Sequence, residues 1–457
     1  METPTEHTRL KGYRPPAFDD AVEADGTPRP WARETLETVL AHDLGALGQA
    51  VRDDVHGMGI RFASVDGDDF WHVDPVPRVI PASEWEAVAR GLAQRVVALN
   101  AYVADVYGQQ RIVTEGAVPL RVIESAEQYD PRMRSAPPGD GVWVGVAGLD
   151  LVRDEEGRWL VLEDNVRTPS GMGYWWACRE AVCRHLGLDG DDRRPAPLDD
   201  VPRLLAATLG PGRAVVLTDG EGNAAYWEHR WLAERLEIPV VEPDDLAVRD
   251  GRLWHAGSPI DAVYRRSNAD ELDTTVGRLL HPVLCTGALK LVNCFGTGVA
   301  DDKLAHAYVD TMIRFYLGEE PLLGSVETFD LAVPEVLERA LDTFDELVVK
   351  DRGSYGGMGV TVVGHAEDED VDDLRDRVRA DPGAFIAQRR VSISTHPTEI
   401  DGELRPRHVD LRPFVFLPAP DDPRVTAGGI TRVALGEGAL VVNSSQNGGA
   451  KDTWVIG

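Results

Sequence analysis

The stretch LEDN at 162–165 closes an apolar run with three oxygen-bearing side chains, before Pro169 and Gly171 break the chain. Together with the residues upstream, GLDLVRDEEGRWLVLEDN (148–165) reads as a β-hairpin, with DEEG as the turn between two apolar-rich strands. If Arg153 pairs with Arg158, Asp150 lies opposite Val161 and one diagonal step from Glu163. Strand residues alternate between faces, so Asp150, Glu163 and Asn165 converge on one side while Asp164 points the other way. Two carboxylates and an amide oxygen suit a hard cation such as magnesium. The same residue types also make ordinary solvated strand ends, where Asp and Asn form turns. The local pattern leaves both readings open.

A second chemical grouping is VVKDRGSYGGMGV (348–360). Lys350 ends an apolar strand, and glycines follow at 353, 356, 357 and 359 before VTVVG resumes. Backbone amides in such a loop approach phosphate oxygens closely, and a lysine neutralises them as a point charge. The spacing is not that of a GxxxxGK[ST] loop, and no βαβ dinucleotide fingerprint surrounds it. A solvent-edge hairpin turn is the plain alternative. Four glycines in seven positions are costly to order, which favours a lid that opens and closes. Two more polar groupings stand beside apolar strands: Asn443, Gln446, Asn447 and Lys451, and the pair Asp410 and Arg412 on one face of HVDLRPF. Each is compatible with satisfied surface groups, but four polar strand ends suggest a shared charged ligand.

These groupings must be carried by a mixed α/β chain. Residues 1–60 read as a loosely ordered lead-in followed by a helical segment, with helices expected over 31–59 and 82–108. Residues 61–210 contain the acidic hairpin, and PLRVI (119–123) within them reads as an apolar, strand-like run. Residues 211–300 alternate strand and helix (RAVVLTDG, AYWEHRWLAERL, IPVVEPDDL, PIDAVYRR, ALKLVNCFG), the pattern of an open α/β unit. Residues 301–457 return to helix and then run in long strands carrying Lys303, Lys350 and the glycine-rich loop.

Composition narrows the function. The chain has 457 residues, 43% hydrophobic and 27% charged, enough for two or three domains with real cores. A formal charge of -30 disfavours a reader of nucleic-acid backbones, and any nucleotide site must be locally positive. No apolar run is long enough to span a bilayer, and the polar METPTEHTRLKGYRPP start lacks an apolar targeting core; a cytoplasmic protein with no membrane partner is expected. The four cysteines have no CxxC spacing and read as reduced, structural thiols.

Six stretches resemble circularly permuted ATP-grasp proteins and, more distantly, the synthetase part of glutathionylspermidine synthetase. They are VDPVPRVIPASEW (73–85), LEDNVRTPSGMGY (162–174), VYRRSNADELD (263–273), GTGVADDK (296–303), KDRGSYGG (350–357) and NSSQNGGAKDTWV (443–455). The resemblance implies a permuted ATP-grasp fold with an adjoining open-sheet domain at 211–300. It implies ATP and Mg2+ as cofactors, with Asp150, Glu163 and Asn165 as metal ligands and Lys303 and Lys350 on the nucleotide. Gly353, Ser354, Tyr355, Gly356 and Gly357 would cover the triphosphate, Gln388 in IAQRRV would read the adenine edge, and Asn443 and Lys451 would complete the nucleotide site. One departure is Gly148, where related synthetases favour a basic residue; Arg153 or Arg167 would supply the charge.

The implied activity is ligation of a small-molecule or peptide carboxylate to an amine through an acyl phosphate, with Lys350, Arg265 and Arg167 in the reaction site. Arg265 and Arg266 follow a strand and suit bidentate carboxylate contacts, although only one of two adjacent strand residues would face the cleft. His229 reads as a helix-surface histidine. Phosphoryl transfer to a small molecule and a nucleotide-binding scaffold without turnover are the alternatives. No GxSxG or HExxH motif points to other chemistry.

Overall fold

The computed structural model describes residues 10, 12–60, 71–191, 195–267, 271–354, 359–439 and 448–457. An eight-stranded mixed sheet organises them. Its strand order is Val73–Pro81, Gly449–Ile456, Arg424–Val433, Glu403–Phe416, Val146–Arg153, Trp159–Asn165 and Gly324–Ser325, with Thr395–Ile400 paired to Glu403–Phe416 off that path. The two outermost pairings along the path are parallel and the four between them antiparallel. Strands from the two ends of the chain therefore interleave. Asp150 and Arg412, 262 residues apart in sequence, become neighbours.

Helices cover both faces of this sheet. Leu149, Leu151 and Leu411 pack with Leu92, Val96 and Leu99 of the helix Ala82–Val106. Phe414, Ile430 and Ala450 pack instead with Trp175, Cys178 and Val182 of the helix Met172–His185. A sheet covered on both sides needs apolar residues in both phases of its strands, and Val146–Arg153 is buried along its whole length.

A second sheet is all parallel, in the order Lys290–Val292, Ala262–Arg265, Ala214–Leu217 and Val240–Val241. Its strands end on Asn293, Arg265–Arg266 and Thr218, the edge at which open α/β sheets present polar side chains. A third, antiparallel sheet of Thr328–Phe329, Phe385–Arg389, Leu347–Asp351 and Val360–Val362 has a core of its own around Phe344, Leu347, Val349 and Val378.

Two local expectations are corrected. PLRVI is not a strand; it enters the short helix Leu120–Glu124, which buries Val122 and Ile123, because a five-residue run is too short to separate a period of 2 from one of 3.6. The supposedly loose lead-in is packed over 12–32. Tyr13, Ala21 and Val22 are buried, and the Asp20 carboxylate meets Arg78 at 2.5 Å and Arg153 at 3.1 Å. All four cysteines are free thiols, three of them buried. Among the described residues no helix is long and apolar enough to cross a membrane.

One side chain joins the first two sheets. Buried Asn293 accepts from the Val146 amide at 2.7 Å and donates to the Val146 and Val166 carbonyls at 2.6 and 2.7 Å. It thereby fixes both ends of the acidic hairpin against the parallel sheet. Replacing it with alanine strands three buried backbone groups. Asn293→Ala should cost about 3 kcal/mol or more in chemical denaturation; a loss below about 1 kcal/mol would show that the sheets are held together by other contacts.

Candidate functional site

The hairpin does not have the simple register expected for it. Arg153 lies opposite Trp159 and Leu151 opposite Val161. The pairing then slips by one residue, so that Asp150 faces Glu163 directly, Leu149 faces Asp164 and Gly148 faces Asn165. Leu162 is the extra residue of a bulge. Without it, Glu163 would fall opposite Leu149 and point into the core; the bulge re-aims it beside Asp150. Asp164 lies on the opposite face. It binds Arg95 at 2.5 and 2.7 Å and His306 at 2.7 Å, which hold its pKa below the usual carboxylate range against strong desolvation. The bulge also leaves the Leu162 carbonyl available, and Gln388 donates to it at 3.2 Å.

Asp150 is buried and sits among guanidiniums. Arg412 binds it through Nε at 2.6 Å and a terminal nitrogen at 2.9 Å, and Arg432 reaches it at 2.7 Å. Arg432 also grips Asp410, at 2.9 and 3.1 Å through Nε and again through its terminal nitrogen. Burial alone would raise the Asp150 pKa, but Arg412 and Arg432 outweigh it and hold the carboxyl at about 2. Asp410, with less positive charge around it, is raised by burial.

Lys350 enters from the third sheet. It is buried, and desolvation lowers its pKa, offset in part by Glu163 and reinforced by Lys303. Lys303 is held by the Arg352 carbonyl at 3.2 Å and by the Ser354 carbonyl. Gly353 donates to the Asp351 carboxylate at 2.9 Å. Gln388 uses its nitrogen on Leu162 and on Thr328 Oγ1 at 3.0 Å, leaving its buried oxygen without a partner among the described residues.

The remaining residues divide. The Val166 and Arg167 amides are fixed by Asp301, whose carboxyl burial pushes up to about 6 despite Arg167 beside it. Arg265 and Arg266 are both buried. Arg265 donates to the Asn293 and Ser267 carbonyls, at 3.3 and 3.1 Å. Arg266 instead reaches the turn after the hairpin, donating to the Pro169 carbonyl at 2.8 Å and lying 3.7 Å from Glu228. Glu228 accepts from the Gly171 and Gly173 amides, both at 2.9 Å.

Lys451 is not brought to this group. It pairs across strands with Thr431, on the face opposite Arg432, and is fully buried against Asp74 and the Val76 and Pro397 carbonyls. Arg153 is likewise spent on Asp20 and Glu84 and does not stand in for the base missing at 148. Tyr355, Gly356, Gly357 and Asn443 lie outside the described residues. Arg432 and Glu228 were missed by sequence reasoning. A charged residue inside the apolar strand ITRVAL was the available sign for Arg432; Glu228 carried none in a helix that reads as half polar.

Among the described residues no group of three or more His, Cys, Asp or Glu is arranged around a metal position. The donor set here is two carboxylates and an amide. No hydrogen bond or ion pair among the described residues engages Glu163, and the buried Asn165 amide nitrogen has no partner, so this side chain is not committed to the protein. Those oxygens fit magnesium, with Asp150 contributing once a guanidinium yields an oxygen.

The fold has counterparts among known proteins. The family model "Circularly permuted ATP-grasp type 2" matches residues 77–434. A Synechocystis protein described as uncharacterized is 39% identical over 98% of this chain and 99% of its own length. A Frankia casuarinae protein named "Putative glutamate--cysteine ligase 2-2" is also 39% identical over 98% of this chain, which spans 54% of that relative. A glutathione synthetase-like effector from Globodera pallida has the same fold, with a TM-score of 0.59 at 11% identity over 91% of this chain and 98% of its own.

His229, expected on a helix surface, is fully buried, because its helix is packed between the parallel sheet and the 169–173 turn. Its Nδ1 lies 2.8 Å from Thr218 Oγ1, and burial, aided by Arg266, pushes its pKa down to about 2. A histidine with a depressed folded pKa stabilises the fold above its unfolded pKa, near 6.5, and loses that contribution as pH falls toward the folded value. Stability should therefore fall by about 1.4 kcal/mol per pH unit below about 6.5 on this group's account. Denaturation curves of His229→Gln at pH 7 and pH 5 should show that much less acid sensitivity than wild type; equal sensitivity would contradict a neutral, buried imidazole.

Proposed function

The chain belongs to the circularly permuted ATP-grasp family, and on that premise we propose that it is an ATP-dependent carboxylate–amine ligase acting on an amino-acid or peptide-like substrate through an acyl phosphate. The observation that carries this reading is Lys350, delivered from a sheet with a separate core, standing within the influence of Glu163 and Asp150, with Lys303 of the short helix Lys303–His306 beside it. An otherwise acidic protein has concentrated positive charge over two carboxylates, an arrangement that suits a nucleotide and its cation together.

Magnesium, held by Asp150, Glu163 and Asn165, would neutralise charge on the phosphoryl oxygens. Lys350 and Lys303 orient the polyphosphate, and its charge, like that of Glu163, favours the ammonium form that burial disfavours in Lys350. The Gln388 oxygen offers an acceptor for an exocyclic amine. Arg265 and Arg167 are assigned to the substrate carboxylate. In the first step a carboxylate oxygen forms a bond to the terminal phosphorus and ADP leaves. In the second the amine nitrogen bonds to the acyl carbon and loses a proton, and phosphate leaves with the original carboxylate oxygen. The Frankia relative's printed name describes the same class of reaction, joining glutamate to cysteine.

The test is to incubate the purified chain with ATP, Mg2+ and panels of amino acids, short peptides and amines, then detect ADP, phosphate and a new amide by mass spectrometry. An 18O-labelled carboxylate should transfer one label to phosphate; unlabelled phosphate alongside amide product would rule out the acyl phosphate. Glu163→Gln and Lys350→Met should each lower turnover by about 100-fold or more, with unchanged circular dichroism. Turnover within about threefold of wild type in both variants would remove the site from the reaction.

A further inference from the structure

Asp150, Arg412, Arg432 and Asp410 form a closed group of two anions and two cations, but its two guanidiniums are held differently. Arg432 contacts two carboxylates and keeps three hydrogen bonds to Asp410 whatever happens at Asp150. Among the described residues Arg412 has a single hydrogen-bonded carboxylate, Asp150, to which both of its short bonds go. Its other hydrogen bond, to the Ser170 carbonyl, is 3.5 Å long. Its side chain is also the more exposed, 16% against 11%.

Gly148 explains how Arg412 reaches this position. A Cβ at 148 would come 2.8 Å from the Pro169 Cβ and 3.5 Å from Arg412 Cδ. Glycine therefore leaves room for the Pro169 turn to close over the strand with the Arg412 stem alongside it. The positive charge absent from position 148 is supplied across the sheet.

Resting on the ligase reading, we propose that Arg412 couples cation binding to anion binding: when a divalent cation takes the Asp150 carboxylate, Arg412 is released from its one carboxylate and turns its guanidinium to a phosphoryl oxygen of the ligand. Charge balance requires an anion at that point. The four-residue group is neutral by itself, so an added dication leaves it positive and a phosphoryl dianion restores neutrality. The planar guanidinium that now grips both Asp150 oxygens can bind two phosphoryl oxygens with the same fork. Arg432 remains on Asp410 and holds the strand pair in place.

The experiment measures Mn2+ binding to the full chain by electron paramagnetic resonance of free Mn2+, with and without inorganic phosphate. In wild type, phosphate should tighten Mn2+ binding by about 10-fold. In Arg412→Met, Mn2+ should bind tighter than to wild type without phosphate, because a competing cation is gone, and phosphate should change its affinity by less than about twofold. Arg412→Lys, which keeps the charge without the fork, should retain part of the coupling and guards against a packing effect. Wild-type coupling in Arg412→Met, or weaker Mn2+ binding there with coupling intact, would make Arg412 a brace for Asp150 and overturn the proposal. Glu163→Gln separates this from the parent reading: it should lose Mn2+ binding under both conditions. If Glu163→Gln binds Mn2+ like wild type, the hairpin is not the cation site and the ligase assignment of these residues falls. No Mn2+ binding by wild type in either condition overturns both.

Discussion

Two carboxylates placed directly opposite one another on a sheet repel, and the surroundings of Asp150 and Glu163 are organised against that repulsion. Each carboxylate is handled differently. Asp150 lies in the plane of the large sheet, where the neighbouring strands deliver Arg412 and Arg432. Glu163 is nearer the sheet's edge, where the outer strand Gly324–Ser325 carries no base, and its compensating charge comes from Lys350 of the third sheet. One carboxylate is neutralised by the sheet and the other by a separate layer. On the ligase reading, an additional cation and an anion would meet between those layers.

The other elements hold that cleft in shape. Asn293 ties the parallel sheet to both ends of the hairpin. Arg266, just past a strand of that sheet, and Glu228, on the helix Tyr226–Leu236, bind the 169–173 turn, which in turn lies against Arg412 and Gly148. The Gln388 amide connects the bulged Leu162 carbonyl with the third sheet. Each connection satisfies a backbone group that would otherwise be buried unpaired, so stability and positioning come from the same bonds.

How much of this could be read in the sequence depends on the range of the interaction. Strand periodicity placed Asp150, Glu163 and Asn165 on one face and Asp164 on the other, as the structure has them, although the expected register was off by one residue at the turn and by two at Asp150. A bulge is a one-residue event set by the neighbouring strand, and apolar alternation carries no mark of it. Asp410 and Arg412 were recognisable as sharing a strand face, but their partners Arg432 and Asp150 are 22 and 262 residues away. His229 misled for a related reason: the helix YWEHRWLAERL has polar residues on every side, and only the tertiary contacts of Glu228 reveal which side is inside.

Lysine usage shows where such reading succeeds and where it stops. The chain has 47 basic residues, of which only five are lysines: 11, 290, 303, 350 and 451. Lys350 and Lys451 are buried, and Lys290 and Lys303 are half-buried. None of these four is exposed, whereas many of the arginines are. Scarcity therefore identifies interior positions, but an interior ammonium has two possible fates. Lys451 has its charge answered by Asp74 and two carbonyls inside one sheet. Lys350 has no hydrogen-bond partner among the described residues and meets Glu163 across a gap between layers. The first arrangement is complete without a ligand, whereas the second leaves three ammonium donors to be satisfied. What separates Lys451 from Lys350 is a carboxylate within hydrogen-bonding reach, a property of strand register that residue type and spacing do not encode.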